Sequence, residues 1–265
     1  VDCLARRHDV TARSSRVIPE ETPIAFTYGG STHAVMMATP ADLEDFAVGF
    51  AITEGLVDGI GDAGDVEIVA SEAGIELRTW LGGDLQEAYA ARRRSMAGPT
   101  GCGLCGIESL EAATRSLPTL DNSLTVGAEA LIEAMDRMPG DQKLNRETRA
   151  VHAAAFWSPA SGALIVREDV GRHNALDKLA GALARQGIAA SQGVVLMTSR
   201  VSVELVQKAA RIGAPIIAAV SAPTALAVRS AEKCGMTLVA VMRGREFEIF
   251  THPGRIQEQV SAHVA

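Results

Sequence analysis

The sequence predicts an α/β protein in two unequal parts. A small α+β unit precedes a larger domain whose largely parallel sheet is covered by helices on both faces. Three observations predict it. Over residues 152–242, strand-sized apolar runs alternate with helical stripes, the rhythm of right-handed crossovers. Residues 22–80 read instead as two hairpins around one helix. Between the two parts lies RRRSMAGPTGCGLCG, residues 92–106, which is basic, then glycine-rich, and without apolar period.

The elements follow in order. Residues 1–15 are charged and aperiodic and are expected to form an extended, flexible arm. The small α+β domain is expected over residues 16–97. In it, Thr22 to Met37 alternates like a strand pair that turns at Gly29-Gly30-Ser31. Thr39 is placed to cap the next helix, Pro40 suits its first turn, and Asp42 and Glu44 suit the positive end of its dipole. Leu43, Phe46, Ala47, Phe50 and Ala51 form its apolar stripe, and Gly55 stops it. Val66 to Ala70 and Ile75 to Trp80 make a second hairpin around Glu72-Ala73-Gly74. A Cys-x-x-Cys loop, residues 98–106, leads to the larger domain, residues 107–265.

Short helices are expected over 107–117 and 128–138, then a hairpin from His152 to Trp157 and Ala163 to Arg167. Ala175, Leu176, Leu179 and Leu183 mark a helix that ends at Gly187. A strand from Gly193 to Thr198, a helix from Val201 to Ile212 and a strand from Pro215 to Val220 follow. A helix from Thr224 to Cys234 and a strand from Met236 to Met242 complete the alternation.

With 265 residues, 47% of them hydrophobic and 22% charged, the chain can bury a sizeable core. Its net charge of −7 excludes the broad basic face of a general nucleic-acid binder, although one phosphorylated ligand can be held by basic residues gathered locally. No apolar run is long enough to span a membrane, and Val1 to Val10 has no apolar secretory core. A cytoplasmic protein with no membrane or nucleic-acid partner is expected. Four cysteines, Cys3, Cys102, Cys105 and Cys234, are too few for a disulfide scaffold.

Cys102 and Cys105 carry the most chemical information. Gly101, Gly103 and Gly106 leave the backbone around them free and the sulfurs uncrowded. A free thiol with a pKa near ~8.5 is only a few per cent thiolate at neutral pH, and a fall of about 1.5 units makes it roughly half ionised. Arg92, Arg93 and Arg94, together with a helix start after Cys105, are suited to supply such a fall. Three chemistries fit: a redox dithiol, half of a zinc site, and carriage of sulfur as a persulfide. Zinc fits worst, because Cys3 and Cys234 form no second close pair and the six histidines are scattered. The redox reading needs a thioredoxin-like βαβ context that the flanking sequence lacks. The plain alternative is a pair of small residues without chemistry, which the glycine flanks make harder to hold.

The segment EDVGRHNALDK, Glu168 to Lys178, resembles the signature of the formate dehydrogenase accessory sulfurtransferases, the FdhD/NarQ family. VMMATPADLEDFAVGFAITEG, TGCGLCG, VHAAAFW, ELVQKAA, SAPTALAV and MRGREFEIFTHP resemble further blocks of that family, in the same order from about Pro23 to Pro253. The resemblance implies a cytidine-deaminase-like three-layer α/β/α domain behind a small α+β roll. It also implies an activity. Such proteins take sulfur from a cysteine desulfurase and pass it to the bis-guanine-dinucleotide molybdenum cofactor, which they bind before its insertion into formate dehydrogenase. The persulfide falls on Cys102, with Cys105 as its partner. The cofactor-binding strand end falls on Val241, Met242, Arg243, Gly244, Arg245 and Glu246, and GDP is the expected analogue. Family members imply a homodimer. A cofactor chaperone that moves no sulfur is the alternative function. The chain departs from the family twice: Thr148-Arg149-Ala150 and Thr198-Ser199-Arg200 each replace a usual glycine with a bulkier residue.

Other residues admit both a binding role and a plain one. Arg243 and Arg245 suit pyrophosphate at the carboxyl end of a strand, or else two solvated side chains at a turn. Asp169, Gly171, Arg172, His173 and Asn174 crowd a strand-to-helix turn where an anion can meet free N–H groups, or where the helix is simply capped. Ser199 and Arg200, with Ser202 and Glu204, open another helix after a strand and suit a nucleotide contact. Lys208 lies one turn from Glu204 and is expected to pair with it. His152-Ala153-Ala154 has the deaminase spacing with alanine in place of the acid/base glutamate, so deaminase chemistry is not expected. Cys234 reads as core filler and Cys3 as incidental.

Overall fold

A computed structural model describes residues 1–82, 117–121 and 123–258. The N-terminal segment is ordered as an antiparallel hairpin, β1 (Asp2–Arg7) and β2 (Val10–Ser15), where an arm without regular structure was expected. His8 and Asp9 turn it with φ of 47° and 66°, the left-handed pair that two-residue hairpins require. Its sequence lacks apolar alternation because the hairpin buries almost nothing.

The small domain is a four-stranded sheet in the order β4-β3-β6-β5, from β3 (Thr22–Tyr28), β4 (Ser31–Ala38), β5 (Ala63–Ser71) and β6 (Gly74–Leu81). Helix α1 (Leu43–Thr53) covers one face. Phe26 stacks on Phe50 with ring centroids 3.9 Å apart and meets Phe46 edge-on at 4.9 Å. Thr39 does not cap this helix. The N-cap is Asp42, in a left-handed conformation and with no side-chain cap bond, and Thr39 serves the domain interface described below. Nearly all of α1 after Glu44 is buried, because its second face packs on the larger domain.

The larger domain begins with β7 (Val126–Gly127), α2 (Ala128–Asp141) and α3 (Lys143–Thr148). Arg149 ends α3 at φ 53°, a glycine-like backbone held here by an arginine. There follow β8 (His152–Trp157), β9 (Leu164–Asp169), α4 (Arg172–Arg185), β10 (Val194–Met197), α5 (Val203–Arg211) and β11 (Ile216–Ala219). Helix α6 (Ala225–Cys234), β12 (Thr237–Arg243), β13 (Glu246–Thr251) and β14 (Ile256–Gln257) complete the chain. The predicted helix over 107–117 falls almost wholly outside the described residues.

The main sheet runs β13-β12-β11-β10-β8-β9. It is mixed rather than largely parallel. Strands β10, β11 and β12 are parallel through helical crossovers, while hairpin partners β8, β9 and β13 add antiparallel edges. Its central strands β8, β10, β11 and β12 are buried on both faces, with residues alternating between the two. Ala154 and Phe156 pack with α4, α5 and α6, whereas Ala153, Ala155 and Trp157 pack with α2. Cys234 is core filler at 2% exposure.

Helices α1 and α4 cross in backbone contact. A Cβ on Gly49 would lie 1.7 Å from the Asp177 carbonyl oxygen, and one on Gly181 would lie 1.8 Å from that of Asp45. Two glycines, one per helix, are therefore what lets the domains approach so closely.

Candidate functional site

The parallel strands end together at one edge of the main sheet. From β10 the chain passes through Thr198, Ser199 and Arg200 to Ser202, the N-cap of α5. From β11 it passes to Thr224, which caps α6 by accepting from the Ala227 amide. Strand β8 is antiparallel to β10, so its first residue, His152, sits at the same edge, paired with Asp169 at the end of β9. The chain then turns at Gly171 into α4, which has no side-chain cap. Crevices at the carboxyl ends of strands are where open α/β sheets bind ligands.

Within the predicted turn, the residues divide by burial. Asp169 is fully buried and satisfied four times. Its Oδ1 accepts from Gly171 N at 2.8 Å and Asn174 Nδ2 at 2.9 Å, and its Oδ2 accepts from Thr39 N at 3.0 Å and Lys178 Nζ at 2.7 Å. Lys178 also donates to the Thr39 carbonyl, and Asn174 donates to that of Met37. Thr39 Oγ1 accepts from Val170 N at 3.2 Å. Asp169 and Asn174 thus tie the domains together and hold the start of α4, and their polar capacity is spent on the protein.

A second cluster has buried Asp177 and Lys208 at its centre. Lys208 donates to Asp177, Thr53 and Glu54, at 2.9, 3.1 and 2.7 Å, rather than to Glu204 as expected. Burial alone would lower the Lys208 pKa, but the Asp177 and Glu54 carboxylates outweigh it and hold the ammonium above its usual value. Asp45 forms a third tie, to Arg167 and Arg185.

Arg172 and His173 are half-buried. His173 Nε2 lies 3.3 Å from Ser202 Oγ and 3.7 Å from Glu204, and its pKa falls to about 4 through burial, with the Arg172 charge adding to the effect. His152 is lowered too, by burial first and then by Arg172, against the opposing charge of Asp169. Ser199 is buried and donates to the Arg200 carbonyl, while Arg200 is exposed.

The predicted cofactor strand end is the tip of the β12–β13 hairpin. Val241 takes φ 57° at an irregularity in β12, a conformation that a β-branched residue rarely adopts. Met242 is buried in the core under α2. Arg243 is exposed and paired in register with Glu246. Gly244, at φ 58°, makes the turn with open space around it, and Arg245 is ion-paired with Glu129. Cys102, Cys105 and Arg92 to Arg94 lie outside the described residues. Among those described, no group of three or more His, Cys, Asp or Glu is placed to hold a metal ion.

Sequence reasoning gave His152 no role at this edge, although its place as the first residue of a strand antiparallel to β10 puts it there. It also missed the Asp169–Lys178 pair. A separate recess on the small sheet, lined by Thr27, Glu76, Arg78 and Trp80 among others, contains none of the edge residues.

Comparison with known proteins bears on both domains at once. The sequence profile of the FdhD/NarQ family matches residues 19–257. The "Sulfur carrier protein FdhD" of Agrobacterium fabrum is 54% identical over 95% of this chain and 93% of its own length. The protein of the same name from Brucella abortus is 53% identical over 96% and 95%, respectively. A crystal structure of a putative formate dehydrogenase accessory protein from Desulfotalea psychrophila superposes with a TM-score of 0.76. That protein is 25% identical, and the match covers 97% of this chain and 98% of that one. A profile that runs from β3 to β14, and relatives more than half identical from end to end, make this chain a member of the FdhD/NarQ family.

Proposed function

We propose that this protein carries sulfur as a persulfide on Cys102 and delivers it to the bis-guanine-dinucleotide molybdenum cofactor before that cofactor enters formate dehydrogenase. The observation that carries this reading is the 54% identity, over nearly the whole length, to a protein named as a sulfur carrier. The site adds a sheet edge at which α4 and α5 begin without side-chain caps beside Arg172 and Arg200, an environment suited to a nucleotide's phosphates. In the same reading, the larger domain is kin to the cytidine deaminases, the protein works in the cytoplasm as a homodimer, and a cysteine desulfurase is the donor. No helix among the described residues is long and apolar enough to cross a membrane.

The chemistry balances in two steps. The Cys102 thiolate attacks the outer sulfur of the donor persulfide. An S–S bond forms on Cys102, the donor's S–S bond breaks, and the donor leaves as a thiolate without net redox change. Release of that sulfur as sulfide needs two electrons. Attack of the Cys105 thiolate on Cys102 Sγ supplies them and leaves a Cys102–Cys105 disulfide, which a cellular thiol reductant reopens.

The test is to incubate the protein with a cysteine desulfurase and free cysteine and to map the added sulfur by peptide mass spectrometry. One extra sulfur on the Cys102 peptide is expected, and none there in Cys102→Ala. In cells, Cys102→Ala should fail to support formate dehydrogenase. Full support by that variant would overturn sulfur transfer and leave a cofactor chaperone.

A further inference from the structure

Five charged side chains are buried among the described residues, Asp45, Asp169, Asp177, Lys178 and Lys208, and each has an ion-pair partner. Arg172 is only half-buried, but it differs from them in one atom. Its Nε is closed off from solvent and has no hydrogen-bond partner. A dry, unpaired donor is unfavourable, and more so on a charged group. In folded proteins such an atom is usually completed by an ordered water, an ion or a ligand.

The chain's own carboxylates do not complete it. Both oxygens of Asp169 are taken by four donors. Glu204 senses the charge of Arg172, but the Ser202 hydroxyl binds it and His173 lies 3.7 Å away. The helix that Arg172 opens has no side-chain cap, so its first-turn amides face out of the same end. The unpartnered Nε and the uncapped amides together make a receptor for negative charge.

We infer that Arg172 and the first turn of α4 hold an anionic group of the ligand, a phosphate or diphosphate. This deepens the proposed function and rests on it only for the guanine part of the ligand. It also moves the phosphate contact away from the Arg243–Arg245 turn, where Arg245 is already committed to Glu129.

Calorimetric titration of the full chain tests it, with GDP, guanosine and inorganic pyrophosphate as separate probes. Arg172→Gln should weaken GDP and pyrophosphate by about 10- to 100-fold while leaving guanosine unchanged, and Arg172→Lys should recover part of the loss. Circular dichroism checks the fold of both variants. In the unaltered protein, GDP should shield Arg172 from phenylglyoxal, a readout that needs no variant. Wild-type affinity for GDP in Arg172→Gln would overturn the anion site and leave the nucleotide reading intact. Arg172-dependent pyrophosphate binding without GDP binding would uphold the anion site and overturn the guanine reading. Binding of neither probe to the wild type would overturn both.

Discussion

His173 carries the electrostatics of this edge in a single group. Its pKa falls from 6.5 to about 4 because burial and Arg172 penalise the charged imidazole more than Glu204 rewards it. The unfolded chain keeps a value near ~6.5. Between these values the unfolded state takes up a proton that the folded state refuses, so stability falls as pH falls through the window and is level above it. The cost at its lower end is on the order of 3 kcal/mol, and His152 adds in the same direction. His173→Gln should therefore flatten the change in urea midpoint between about pH 7 and 4.5. An unaltered slope would mean that the folded imidazole titrates as it does in water. Which polar residues of the turn are spent on the protein was only half legible. The turn itself was plain in the sequence. What could not be read was that Thr39, 130 residues earlier than Asp169, would arrive to consume Asp169 and Lys178.

At the level of elements, the contact between α1 and α4 depends on two missing side chains. Gly49→Ala and Gly181→Ala each drive a methyl group into a carbonyl oxygen of the facing helix, and neither backbone can yield without moving the whole helix. Each should lower stability by about 3 kcal/mol, measured by urea unfolding, and the pair should cost less than the sum, because the first has already parted the helices. Full additivity would argue against a shared contact. The sequence made both helices legible through their stripes, but an apolar period does not say which glycine meets which backbone. For the same reason the sheet was expected to be largely parallel. Its strands are apolar on both faces, so their pattern carries no direction, and β13, with five of its six residues exposed or half-buried, did not register as a strand at all.

For the molecule as a whole, the domain boundary is held by the Asp169–Lys178–Thr39 and Asp177–Lys208–Glu54 clusters as well as by the helix crossing. Parting the domains would take Asp45 from Arg167 and Arg185 and Glu54 from Lys208, and would strip Asp169 and Lys178 of their Thr39 hydrogen bonds while leaving those two paired with each other. Heat should therefore unfold both domains in one transition, with calorimetric and van't Hoff enthalpies in agreement. Two resolved transitions would show that the small domain melts alone. The overall plan of a small sheet-and-helix unit before a three-layered one was legible from chain order, because hairpin and crossover patterns differ in period. The stitching between the units was not, since each stitch joins residues more than a hundred positions apart.

The exposed N-terminal hairpin has a practical consequence for bench work. Cys3 sits on it in the open, while Cys234 lies sealed in the core with its thiol pushed up by burial. An alkylating reagent applied to the native protein would consume Cys3 readily and leave Cys234 untouched until the chain is denatured. Stoichiometric labelling of Cys102 and Cys105 therefore calls for a Cys3→Ser background, in which no tag is lost to the hairpin thiol.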